Sequence, residues 1–435
     1  KSVFGSPGTD EVHNEYVPGI EVLQRGLKKP TLKPVSEAHY TSSKIEDDDY
    51  PWPGHDYKGT CTPELLQAEA DAISKAYKRI DLTQEDVYYH PAAAKQCYTT
   101  QEDLNKADRV KIKYVITGGY DQHLLPAFIP PGEVVTFEIS ETVANKDILG
   151  ITINTQYRES DTGKKQRLPN MIIRNLRLTK TVCTIASPYG ATVNFHYGDT
   201  NPCDVIVSGV ILQPYFYYGM NSDEEWENEL SKLPGPYAFL DTGNLVHIVP
   251  SSFVRDTVRM NDCMHYWRSA VQISQTTARD VSQNKNPRHG RILHPCTMKY
   301  DSFVPAGAAC CYPAGNFVHF PCGWISSTVN YDSSVDNPWG TVHELNHNHQ
   351  ENWAKTQESG EMSNNVVSLV IYAKTNLCSG ARLTSGWPRY AYASHMLNNQ
   401  DSYGLQRYST MLHFFGVKKF KKFVEADQEG FWYSR

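Results

Sequence analysis

The chain has 435 residues, enough for two to three domains and an ample core. Hydrophobic residues make up 40% and charged residues 21%, the balance of ordinary soluble globular proteins. A net charge of −6 gives nucleic acid or an anionic membrane no obvious hold, and no apolar run reaches the length of a membrane span.

Residues 1–60 are rich in Pro, Gly and acids, with little apolar periodicity, and read as an extended N-terminal arm. Such an arm either wraps the body of the protein or is the remnant of a prosegment. The chain begins at Lys1 rather than Met, which fits removal of a signal or propeptide, or a cut end. Residues 61–100 form a helical segment. Thr62-Pro63 supplies a cap and a first-turn proline, and Leu66, Ala70, Ile73 and Tyr77 share one face.

Residues 101–220 read as a β-sandwich-like domain. Val110–Ile116 alternates, and Pro130-Pro131-Gly132 turns the chain into Val134–Ile139. Leu149–Thr155, Met171–Leu178, Thr192–His196 and Val205–Leu212 follow as strands. Residues 221–435 then read as a mainly helical domain. Leu245–Pro250 is a short strand, and Ser251–Thr277 is mostly helix with Trp267 and Val271 on its inner face. Met298–Ala309 is a strand or sheet edge, and residues 315–325 are a candidate rim of the site. Val366–Ala373 is a core helix, and Leu405–Val424 is an amphipathic region broken at Gly416. The fold class expected is α+β.

Ten cysteines are spread widely and none forms a CxxC pair, which argues against a thiolate zinc site. The even count points to a secreted protein with several disulfides, and the alternative is buried free thiols. Cys310-Cys311 cannot readily bridge to each other, so each would seek a distant partner. Aromatic residues make up 11% of the chain, which suits ordinary packing better than a sugar-stacking surface.

One stretch carries chemistry: Thr341-Val342-His343-Glu344-Leu345-Asn346-His347. On a helix, positions i and i+4 lie one above the other, so the His343 and His347 imidazoles face the same way and can hold one Zn²⁺. Glu344 lies beside that face, placed to accept a proton from the attacking water without being a ligand. A solvated helix face is the competing interpretation. Asp336, Asn337 and Thr341 as caps, and Pro338 for a first turn, favour a helix start there.

A catalytic zinc needs a third protein ligand. His349 points elsewhere on the helix, and Glu351 extends the same face without closing the metal from the far side. Glu358 and Glu361 lie beyond Ser359-Gly360, where the chain can turn. Glu361 opens a second apolar-faced helix and suits its dipole, so it is preferred, with Glu358 as runner-up. Two histidines and a glutamate make a gluzincin-type site. Asn364 or Asn365 is a candidate hydrogen-bond partner for a ligating histidine. Tyr403, Tyr408 and His413 are candidates to stabilise the oxyanion. His247, His265, His294 and His319 read as core or surface histidines.

The run Trp339–Gln350 followed by Gly360-Glu361-Met362-Ser363-Asn364-Asn365 resembles the enhancin and mucinase family of zinc metallopeptidases, peptidase family M60. Lesser matches lie at Gln166–Pro169, Ser187–Gly190 and Tyr408–Phe420, so the resemblance spans roughly residues 110–430. Two departures stand out. Asn346 replaces the usual Gly before the second histidine, and Tyr189-Gly190-Ala191 replaces the usual Gly-Gly, a change expected at the substrate rim. The resemblance implies a β-sandwich packed on a catalytic domain, a Zn²⁺ cofactor and proteolysis of mucin-like, O-glycosylated proteins. It leaves a catalytically inactive adhesion, glycan-binding or structural surface protein as the alternative.

Overall fold

The computed structural model describes residues 19–32, 78–87, 89, 93–117, 123–153, 174–278, 296–301, 309–312, 317–336, 339–348, 364, 367–368, 370–371 and 419. The expected helix over 62–78 and the amphipathic region over 405–424 lie almost wholly outside them.

The first part of the chain builds a nine-stranded sheet in the order β1-β2-β9-β3-β8-β5-β6, with β4 pairing both β7 and β9. Its strands are β1 (Gly19–Gln24), β2 (Val110–Ile116), β3 (His123–Ile129), β4 (Val135–Glu138), β5 (Leu149–Ile153), β6 (Arg174–Arg177), β7 (Val182–Ile185), β8 (Ala191–Tyr197) and β9 (Cys203–Leu212). All of these pairings are antiparallel. Two separate sandwich sheets were expected. Instead one long strand joins everything: β9 pairs with β4 up to Ser208 and with β2 up to Val210, and then with β3 through Ile211 and Leu212. The two arms of the sheet meet over one core. Phe195 on β8 lies 5.8 Å from the Tyr114 ring on β2 and 6.2 Å from the Phe137 ring on β4.

Alternation explains why β2 was legible, since its seven residues run buried, half-buried, buried throughout. Strand β3 hid because it contains Pro126, which has no N–H for a ladder. The structure accommodates the proline at a register shift between Leu125 and Phe128, and the Pro126 carbonyl accepts from Gln213 N. The N-terminal arm contributes β1, an edge strand paired with β2.

Two short helices, α1 (Ala93–Gln96) and α2 (Gln101–Lys106), follow the arm, and α3 (Glu141–Lys146) links β4 to β5. Behind α2 lies a buried ion pair. The Arg109 guanidinium holds both carboxylate oxygens of Glu133 at 2.6 and 2.8 Å and donates to the Leu104 and Ala107 carbonyls. It pins the end of α2 to the turn before β4.

The chain leaves the first sheet at Leu212 and enters a second at Tyr215. Gln213 joins the two, its amide donating to Ala127 O and accepting from Tyr237 N. The second sheet has six strands in the order β10-β11-β12-β13-β15-β14. They are β10 (Tyr215–Tyr217), β11 (Tyr237–Asp241), β12 (Leu245–Pro250), β13 (Cys296–Asp301), β14 (Cys310–Tyr312) and β15 (Phe317–Pro321). Pairings are mixed: β12, β13 and β15 run parallel, and β14 closes the edge antiparallel to β15.

A mainly helical second half was expected; the described residues there hold helices and also this sheet, several of whose strands the sequence left unread. The physical reason is burial on both faces. Every residue of β11 and β12 is buried, so these strands read as plain apolar runs without alternation. One face packs on α5 (Met260–Ala278), whose Met264, Trp267, Ala270 and Val271 are fully buried. The other packs Phe239, Val246 and Ile248 with Ala94, Leu104, Phe128 and Ile211 of the first unit. Before α5 comes α4 (Asp223–Asn228), with a capping box between Ser222 and Glu225. After β15 come α6 (Ile325–Val329), α7 (Tyr331–Asp336) and α8 (Trp339–His347).

The expected disulfides are not formed at six of the ten cysteines. Cys97, Cys183, Cys203, Cys263, Cys296 and Cys322 are buried free thiols, packed as small apolar groups in the cores. The Cys263 thiol is pushed up to about 12 by burial, which keeps it protonated and inert. Among the described residues, no helix is long and apolar enough to cross a membrane.

Candidate metal centre

The segment singled out in the sequence is helix α8. Its inward residues are Val342, Leu345 and Asn346, all essentially buried, whereas His343, Glu344 and His347 are half-exposed on the opposite side. The apolar pair packs with Val367, Val370 and Ile371 and with Met298 and Phe320 of the second sheet. Upstream, Asp336 ends α7 instead of capping α8. Asn337 and Pro338 lie outside the described residues.

A tryptophan sets the start of the helix. The Trp324 ring lies 5.4 Å from the Phe320 ring, tilted by 30°, and across Gly340. A Cβ on Gly340 would come within 2.7 Å of that ring, closer than real contacts allow. Helix propensity alone favours Gly340→Ala by about 1 kcal/mol. Overpacking of about 1–3 kcal/mol outweighs it. The expected result is a net loss of stability, read by thermal unfolding. An unchanged melting temperature would mean that Trp324 yields freely.

The two imidazoles converge. His343 Nε2 and His347 Nε2 lie 3.1 Å apart, with ring planes at 89°. A tetrahedral zinc bound by two imidazoles holds its nitrogens about 3.3 Å apart. The donor pair therefore suits that ion in chemistry and in spacing. Among the described residues, no third His, Cys, Asp or Glu completes a cluster of three. Glu351, Glu358, Glu361, His349, Asn365, Tyr403, Tyr408 and His413 lie outside the described residues, so the third ligand and the oxyanion group remain expectations.

Asn364 is described. It is fully buried, and its Nδ2 donates to the backbone carbonyl of His343 at 2.5 Å, to the helix backbone and not to a ring nitrogen. Asn346 was read in the sequence only as a departure from the family. In the fold it is a buried bridge. Ser274 Oγ on α5 donates to its Oδ1 at 2.6 Å, and its Nδ2 donates to Ser368 Oγ at 3.0 Å. Ser274 and Ser368 carry no signal in the sequence, since both read as ordinary helix residues.

Both ends of α8 are tied down. The Thr341 and Thr328 hydroxyls are 3.2 Å apart, and Asn348, just past the helix, donates from Nδ2 to Cys296 Sγ at the start of β13. The helix packs against β14 and β15. The rim was expected at residues 315–325. Strand β15 is instead interior to the sheet, and among the described residues the edge beside it is β14, Cys310–Tyr312. Tyr189, expected at the rim, is buried in the first unit, where Gly190 turns at φ +73° under the Phe128 ring.

The other described histidines have local roles. His247 is buried between Trp267 and Tyr300, hydrogen-bonds the Tyr300 hydroxyl at 3.1 Å, and is pushed down to about 3 by desolvation. It is a neutral core residue. His265 hydrogen-bonds the Tyr218 hydroxyl at 2.7 Å.

The model of a family described as "Peptidase M60, enhancin and enhancin-like" matches residues 209–431. A model of the N-terminal domain of M60-like peptidases matches residues 105–208. Antigenic protein P1 of Entamoeba histolytica is 26% identical over 359 residues, covering 75% of this chain and 31% of its own length. A TRPM8 channel-associated factor homolog of Danio rerio is 27% identical over 172 residues, covering 39% of this chain and 18% of its own. This chain thus spans about a third or less of the length of these curated relatives. Two solved structures share the fold. Pseudomonas aeruginosa IMPa in complex with an O-glycopeptide has a TM-score of 0.51 at 16% identity, covering 75% of this chain and 44% of that one. The M60 catalytic domain of Clostridium perfringens ZmpC in complex with the sialyl T antigen has a TM-score of 0.53 at 12% identity, covering 72% and 66%.

Proposed function

The chain belongs to the Peptidase M60, enhancin and enhancin-like family, and from that premise we propose that it is a zinc-dependent endopeptidase acting on mucin-like, O-glycosylated proteins. The observation that carries this reading is the pair of imidazoles converging on one side of α8, with Glu344 beside them. A site kept only for structure needs no base, and Glu344 is one.

In this reading His343 and His347 hold the ion through Nε2 and Glu361 is the third ligand. Zinc, when bound, supplies a Lewis acid that polarises the scissile carbonyl and acidifies water. Glu344 accepts the proton of the attacking water at its carboxylate and hands it to the leaving amine. Among the described residues β14 is the strand at the edge of the second sheet beside α8, a position suited to receive an extended peptide by strand addition. The glycosylated substrate class is supported by the glycopeptide and glycan held by the two structural neighbours. A secreted or cell-surface location follows from that substrate class, and not from cysteine usage, since buried thiols need no oxidising surroundings.

The rival reading is a catalytically inactive family member used for adhesion, glycan binding or surface structure. The curated relatives favour it, since they are named as an antigen and a channel-associated factor and not as peptidases. Metal analysis combined with digestion of an O-glycosylated mucin separates the two. Zinc at one ion per chain with mucin cleavage is the expected result. Zinc without cleavage of mucin or casein would favour the inactive reading, and absence of zinc would overturn both roles assigned to His343 and His347.

A further inference from the structure

We infer that Asn346 is a positioning residue for the zinc ligands, working through a buried hydrogen-bond chain that clamps the α8 backbone to its two neighbouring helices. This inference rests on the metal site proposed above and adds to it a residue that touches neither metal nor substrate.

The chain can be followed atom by atom. From α5, Ser274 Oγ donates to Asn346 Oδ1 at 2.6 Å. Asn346 Nδ2 donates to Ser368 Oγ at 3.0 Å, and Ser368 Oγ donates to the Asn364 carbonyl at 3.5 Å. Asn364 Nδ2 then returns to α8, donating to the His343 carbonyl at 2.5 Å. Every side chain in this loop is at most 1% exposed. The loop meets α8 at two points, residues 343 and 346, which adjoin or coincide with both proposed ligands. It meets the following helical segment at 364 and 368, three and seven positions beyond Glu361 in the sequence.

The physical consequence is rigidity of a particular kind. Apolar packing by Val342 and Leu345 holds α8 in place but tolerates small slides and rotations. A buried amide does not, because a shift that breaks either of its bonds leaves an unsatisfied polar group in a dry core. Asn346 therefore selects one rotation of α8, the one that aims both imidazoles at a common point. A glycine at this position has no side chain and cannot make the bridge. In this chain, the departure at 346 supplies a two-armed polar link.

The test uses the full chain loaded with zinc, and reads zinc release to a chromogenic chelator alongside thermal unfolding. Asn346→Ala and Ser368→Ala should each speed zinc release about tenfold or more, the range expected when support of a ligand is lost. The double variant should release zinc no faster than the worse single one, because both changes cut the same link. Phe137→Leu, a core truncation in the first sheet, serves as the stability control and should lower the melting temperature without changing zinc release. Unchanged release in Asn346→Ala, or effects that multiply in the double variant, would overturn the inference. If wild type held no zinc, the metal site itself would fall, an outcome visible before any variant is made.

Discussion

Glu344→Gln should retain its zinc and lose turnover by about 10²–10⁴-fold, the usual worth of a positioned general base. The substitution is nearly isosteric, sits on the half-exposed side of α8, and leaves His343 and His347 untouched. Helix propensities of Glu and Gln are close, so α8 should form as before. What changes is chemistry alone: an amide cannot take the proton of the attacking water. Steady-state kinetics on a glycosylated substrate should show the loss in kcat with KM little changed, since no contact that binds substrate is removed. Metal analysis of the same preparation is the control. Normal turnover would remove Glu344 from the mechanism. Loss of zinc would instead make it part of the scaffold of the site.

Arg109→Met should destabilise the first unit by about 3–5 kcal/mol, the cost of leaving one member of a buried ion pair alone. Arg109 and Glu133 expose only 3% and 6% of their side chains, so water cannot substitute for the lost partner. The guanidinium also satisfies the Leu104 and Ala107 carbonyls, and those acceptors would be orphaned as well. A fall in melting temperature on the order of 10 °C is expected. The double variant Arg109→Met/Glu133→Leu should recover much of the loss, because a buried ion pair is replaceable by apolar groups of similar volume. If the single variant melted as wild type does, the pair would be solvated in a way its burial denies. The surface pairs Lys106–Glu102 and Arg177–Asp147, both more than half exposed, should each matter by less than about 1 kcal/mol.

How much of this was legible depends on range. The imidazole pair was, because i and i+4 on a helix is a purely local relation. Strands with one wet face, such as β2, were also legible, because alternation is printed in consecutive residues. Strands buried on both faces were not. Tyr237–Asp241 and Leu245–Pro250 look alike as apolar runs, and only the second was read as a strand. Phe317–Pro321 was taken for a rim and lies inside the sheet. Pro126 disguised β3, since a proline argues against a strand unless a register shift receives it. An even cysteine count suggested disulfides, but whether two thiols meet is a three-dimensional fact, and six of them stay free.

From its sequence alone the chain determined its family, the two convergent histidines with their neighbouring acid, and the strands that alternate. These depend on helix and strand periods, which a linear string records. Tertiary structure alone decided that one continuous sheet curls over its own core. It also decided that a second, mixed sheet backs α8 and that Asn346 links three helical segments. Each of these joins residues tens to hundreds of positions apart. Such contacts are set by how whole elements bury their faces against one another, and no local pattern in the string encodes them.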